Sequence, residues 1–261
     1  MESEVKKHFY NFLSIFLAAV FTFYLSSFTN AVLAASFFGI VFAVLFKKYA
    51  KVAYCGCFIG MSSYLILESI YFIFLASMLA TILLHLFKGK LEYGGKLGLI
   101  AFLSVLIIEL PDIYRAEYNI VATDIEMNLL LSILVIFVAI VSLELTWILR
   151  NILKLGFPES ESVLASAFTG LIFGLCAFLV PEIKSMGEVA YAASFAGMSK
   201  PKLIRRYMLL IALLTGALYF ITVPIFRGFG GKLGAIAFLS VIISVMFAYL
   251  WDYKKFKISK K

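Results

Sequence analysis

Long apolar runs alternate with short polar breaks along the whole chain, and eight of them predict membrane-spanning helices: 8–29, 31–46, 65–87, 94–110, 128–149, 163–180, 207–226 and 232–250. An α-helix rises ~1.5 Å per residue, so about 20 apolar residues cross the ~30 Å hydrocarbon core of a bilayer. Runs 31–46 and 94–110 are short for that distance, which suits tilted, broken or re-entrant segments. The runs are continuous blocks, unlike the alternating ~10-residue strands of a membrane β-barrel. The pattern predicts an all-α polytopic membrane protein of about eight segments.

Three stretches occur twice. GGKLGLIAFLSVLI at 94–107 and GGKLGAIAFLSVII at 230–243 agree at 12 of 14 positions. VLAASFFGIVF at 32–42 matches VLASAFTGLIF at 163–173, and VAYCGCFIGMS at 52–62 matches VAYAASFAGMS at 189–199. In chain order their offsets are 131, 137 and 136, so only short insertions separate the copies. Ordered self-similarity of this kind predicts tandem duplication, with a first repeat over 1–127 (core 8–110) and a second over 128–261 (core 128–250). Four of the eight segments separate each motif from its copy, and an even number of crossings predicts parallel repeats, related by an axis along the membrane normal.

Lys and Arg are retained on the cytoplasmic side of membrane proteins. With the N-terminus inside, the eight-segment reading places 16 of the 23 basic residues on the inner side and puts Lys88, Lys90 and Lys96 outside. Both termini are then cytoplasmic and the protein is integral to the cell membrane. The N-terminal KKH, apolar stretch and AVLAAS resemble a cleavable secretory signal. The internal copy of the following VLAASFFGIVF argues instead for a retained span at 1–29.

Composition agrees with this class, at 63% hydrophobic residues and a mean hydropathy of +1.03. The net charge of +8 sits in short loops beside apolar spans, so it predicts contact with anionic lipid headgroups and not with nucleic acid. The expected partners are the bilayer and a small solute or ion, and an oligomer is compatible with either. Cys55 and Cys57 correspond to Ala192 and Ser194 in the second copy, His8 and His85 are distant and unrepeated, and no nucleophile–base pair or phosphate loop is evident. The expectation is no catalytic residue, no metal and no cofactor. Glu68, Glu109 and Glu144 lie in or beside apolar runs, and a membrane carboxylate such as Glu144 suits a proton or cation site.

The duplicated motifs carry the functional expectation. Gly94, Gly95, Lys96 and Gly98 recur as Gly230, Gly231, Lys232 and Gly234. A Gly-Gly turn opening a helix presents free N–H groups at the positive end of the helix dipole, an anion site that lysine would reinforce. Transporters build substrate sites from such helix breaks at matching places in two halves. Tyr54, Phe58, Gly60 and Ser62, recurring as Tyr191, Phe195, Gly197 and Ser199, predict an element dipping into the bilayer beside the same cavity, with each serine capping the helix that follows. These residues predict a transporter or channel for a small, possibly anionic solute. The alternative is a non-transporting assembly or lipid-interacting protein in which glycines pack helices and lysines reach for the interface.

Overall fold

The computed structural model describes residues 2–90, 92–115 and 129–258, which form ten α-helices and two single-turn 3₁₀ segments. The eight apolar runs are all helical: α1 (Glu2–Ser26), α2 (Ala31–Leu45), α4 (Ile70–Leu86), α5 (Lys96–Arg115), α6 (Leu129–Ile152), α7 (Pro158–Leu179), α9 (Pro201–Thr222) and α10 (Lys232–Ile258). Among the described residues, α1, α6, α7, α9 and α10 are long and apolar enough to cross a membrane, and α2 and α4 are shorter apolar helices. Local sequence sets the boundaries. Asn30 caps α2 by accepting from the Leu33 amide at 2.7 Å, and the same side chain donates to the Gly174 carbonyl of α7 at 2.8 Å. Pro158 and Pro201 occupy first-turn positions, where a missing N–H costs nothing.

The VAYxxxFxGMS copies are helices as well: α3 (Ala50–Gly60) and α8 (Lys184–Gly197). Hydropathy undervalues them because Tyr, the charged Lys51, Lys184 and Glu188, and the small Gly and Ser lower the apolar average. Those small side chains let α3 and α8 be buried among other helices, where no lipid-facing apolar stripe is required. The eight-segment expectation therefore omits two buried helices.

Contacts among the described helices fix their relative directions. α3 runs beside α1 in the same direction, with Gly56 against Ile15 and Gly60 against Ala19 and Thr22. α8 runs beside α6 in the same way, with Gly197 against Leu143 and Thr146. α2 and α7 lie antiparallel, since Asn30 meets Gly174 at one end and Ser160 Oγ donates to the Ala43 carbonyl at 2.7 Å at the other. Each of these follows its predecessor through a short hairpin, so α6 runs opposite to α1. The expected parallel arrangement rested on an even count of segments that did not include α3 and α8.

Lys88 and Lys96, expected on the side opposite the N-terminus, line one cavity together with Lys7, Lys48 and Lys51. α4 returns antiparallel to α1, bringing Phe74 against Phe12 and Phe16 and His85 against His8.

Candidate functional site

The two GGKLG turns meet at the centre of the bundle. Gly95 and Gly231 have φ of +84° and +80°, a left-handed conformation that favours glycine. The first turns of α5 and α10 then pass backbone to backbone, so closely that a Cβ added at Gly98 would stand 2.5 Å from the Cα of Gly234. Gly95 faces Gly234 and Phe238 while Gly231 faces Gly98 and Phe102, which makes the overlap antiparallel and reciprocal.

α3 and α8 end on these turns. Ser199 Oγ accepts a hydrogen bond from the Gly94 amide at 2.8 Å, and Ser62 Oγ accepts one from the Gly230 amide at 2.9 Å. Each serine therefore reaches into the other half's turn instead of capping its own following helix. Tyr54, Phe58, Tyr191 and Phe195 converge between α3 and α8, with the Phe58 and Phe195 ring centroids 4.7 Å apart and each side chain at most 2% exposed. Beneath them, the Tyr54 and Ser166 hydroxyls lie 3.2 Å apart and Ser166 and Ser194 2.8 Å apart, so these polar groups are mutually satisfied in an apolar interior. Gly60 and Gly197 are close-approach points against α1 and α6.

The repeated lysines have specific partners. Lys96 Nζ donates to the Phe87 and Lys90 carbonyls at 2.5 and 2.7 Å. Lys232 Nζ donates to the Thr222 and Ile225 carbonyls at 2.8 and 2.9 Å. In each half the ammonium closes the C-terminal end of the preceding helix, where orphan carbonyls and the negative end of the dipole favour a cation. The duplicated charge therefore has a structural use that spacing alone does not reveal.

A cavity of about 950 Å³ opens at the N-terminal end of α1. Gly94, Gly95 and Leu97 line it together with Phe58 and Phe195, so it reaches down to the central crossing. Lys96 also borders it, whereas Gly230, Gly231, Lys232 and Gly234 do not. Its walls carry Lys7, Lys48, Lys51, Lys88, Lys96, Arg150 and Lys200 against Glu4, Glu92 and Glu159. These wall charges leave a cationic excess at this end of the molecule. Lys51 lies 3.5 Å from Glu159 and Lys200 3.9 Å from Glu92, both on solvent-accessible side chains where such pairs contribute little.

No family model, curated protein or solved structure matches this chain.

Two features of the cavity lie beyond the sequence reading. His8 and His85, distant in sequence, stand with ring centroids 4.7 Å apart because α1 and α4 pair antiparallel. Arg150, near the end of α6, donates through Nη1 to the Met198 and Ser199 carbonyls at 3.0 and 2.6 Å. Aligning Thr146 with Thr22, the residues that touch Gly197 and Gly60, sets Arg150 opposite Ser26, a signal available once the α3 and α8 contacts are known. Glu144 is exposed on α6 and does not border the cavity, and Cys55 and Cys57 are buried packing residues.

Proposed function

We propose that this chain is a membrane carrier for a small anionic solute, built from two repeats of opposite orientation that alternate access to a central site. The observation that carries the reading is the reciprocal crossing at Gly98 and Gly234, reached by a cationic cavity from one end. Inverted repeats can exchange conformations, so a half that is open on one side predicts its counterpart open on the other. In the alternate state Gly230 and Gly231 would line an access route, and the Phe58–Phe195 floor would remain the shared partition.

Charge distribution supports ten crossings. Threaded this way, only Arg115, Lys184, Arg227 and Lys232 fall opposite the N-terminus, leaving 19 of the 23 basic residues on its side. That bias exceeds the one given by eight segments, and it makes the N-terminal side cytoplasmic. Transport needs no catalytic constellation, and the reading assigns the chain no enzymatic activity.

Packing alone is the second reading, favoured by the engagement of Lys96 and Lys232 with helix-end carbonyls. Cysteine accessibility separates the two. With Cys176, the exposed cysteine among the three, replaced by Ser, Leu97→Cys and Leu233→Cys are labelled in sealed vesicles with a membrane-impermeant thiol reagent. A carrier labels Leu97→Cys from the cytoplasmic side and Leu233→Cys from the other, with anions changing the two rates in opposite senses. Labelling that is insensitive to anions, together with no flux in proteoliposomes, leaves packing as the account.

A further inference from the structure

Resting on the carrier reading, we infer that the cavity recognises a phosphate group and that Arg150 is its anchor. Arg150 stands where α6, the end of α8 and the Gly94 turn meet. Its Nη1 is held by the Met198 and Ser199 carbonyls, and Ser199 in turn holds the Gly94 amide. The guanidinium is thereby fixed through Nη1, and among the described residues no hydrogen bond engages Nη2 or Nε of this cavity-lining side chain. A planar guanidinium with two donors free matches phosphate bidentately and loses little entropy in doing so.

Comparison of the two halves isolates this residue from the packing scheme. At the corresponding end of α1 stands Ser26, whose hydroxyl merely returns to the Phe23 carbonyl at 2.7 Å. The helix contacts of the first half form without a cation there, so the shared packing does not require Arg150, which adds a tie between the ends of α6 and α8 while facing the cavity. Glu161, on the same hairpin, is the carboxylate whose charge reaches Arg150, but its Oε1 accepts from the Leu155 and Gly156 amides at 2.7 and 3.0 Å and it forms no direct ion pair with the guanidinium.

The surrounding charge selects a multivalent anion. Lys51 and Lys200 sit on the same cavity, each facing a carboxylate at 3.5 or 3.9 Å in loose, exposed geometry. A phosphate dianion offers three acceptor oxygens and more charge than either glutamate, so it draws both lysines while Arg150 grips it. A monocarboxylate would leave most of the cationic excess uncompensated. The phosphate can belong to a free solute or to a lipid headgroup entering from the membrane.

The test uses the full chain in maltoside micelles, which contain no phosphate, with inorganic phosphate and dihexanoyl phosphatidic acid as probes and acetate as the carboxylate control. Saturable binding of one or both phosphate probes, weak acetate binding, and a tenfold or greater loss in Arg150→Gln with Arg205→Gln unchanged are the expected results. Should Arg150→Gln fail to fold, the Lys51→Gln/Lys200→Gln double variant, which breaks no backbone contact, is expected to lose affinity severalfold. A clear preference for phosphatidic acid assigns the lipid source, and equal or stronger binding of inorganic phosphate assigns the free one. No phosphate-dependent binding by folded protein, or full affinity in both variants, overturns the inference. Binding without flux would remove the carrier reading and leave this site standing, whereas flux without phosphate binding would do the reverse.

Discussion

The Ser199 hydroxyl accepts a hydrogen bond from the Gly94 amide at 2.8 Å, joining residues 105 positions apart and tying the end of α8 to the start of α5. Ser62 and Gly230 repeat the contact between α3 and α10 at 2.9 Å. Both serines are 1% exposed, so water cannot replace either one. Leaving a buried donor unsatisfied costs about 1–3 kcal/mol. Ser199→Ala and Ser62→Ala are each expected to destabilise the protein by that order, and Ser199→Thr by less. Thermal unfolding in one detergent measures this, and an unchanged midpoint for both alanine variants would refute the contacts.

The crossing itself makes a sharper demand. A Cβ at Gly98 would stand 2.5 Å from Gly234 Cα, and backbone cannot move aside as the tip of a flexible side chain can. Gly98→Ala and Gly234→Ala are expected to cost about 1–3 kcal/mol or more through overpacking. Gly216→Ala meets nothing closer than Ile136 at 3.4 Å and lies within α9, so helix propensity makes it neutral or stabilising. Comparing folded yield and unfolding midpoint across the three variants decides the matter; equal behaviour would place the crossing elsewhere.

Lys96 and Lys232 separate structure from solute binding. Sequence alone suggests that methionine at both positions would spare the fold and lower anion flux or binding. The bonds to the Phe87, Lys90, Thr222 and Ile225 carbonyls change that expectation. Hydrogen bonds to charged groups contribute about 1.5–3 kcal/mol each in net terms. Lys96→Met and Lys232→Met are therefore expected to lower stability, and arginine at either site to restore part of it. Phosphate affinity measured on the protein that remains folded is expected to fall less than in Arg150→Gln. Variants of normal stability with abolished binding would return the lysines to the ligand.

Hydropathy located eight helices because a long apolar run is visible in sequence, and among the described residues five of them are long and apolar enough to cross a membrane. α3 and α8 escaped it because burial among helices relaxes the requirement for such a run, and small residues replace large apolar ones. The motifs GGKLG and AYxxxFxGMS marked the central crossing, yet what each residue does there depends on partners more than a hundred positions away, as with Ser199 and Gly94. Arg150 lay outside every repeat motif. Its role emerges only when its structural counterpart, Ser26, is identified through the matching contacts of Thr22 and Thr146.

Membrane sidedness provides the last prediction. Eight segments place Lys88 and Lys90 opposite the N-terminus, whereas ten place them beside it. The His8–His85 contact at 4.7 Å and the shared cavity of Lys7, Lys51 and Lys88 favour the latter. In both schemes Arg227 lies opposite the N-terminus, so it serves as a fixed reference. Lys184 discriminates in the other direction: eight segments place it on the N-terminal side, and ten place it opposite, at the start of α8. With native cysteines replaced, Lys90→Cys is expected to react with a membrane-impermeant thiol reagent from the same side as an N-terminal tag. Lys184→Cys and Arg227→Cys are expected to react from the other. Because positions 90 and 184 exchange sides between the two schemes while 227 does not, no uniform inversion of the vesicles can mimic the result. Reaction of Lys184→Cys on the tagged side, with Lys90→Cys on the other, would restore the eight-segment, parallel arrangement.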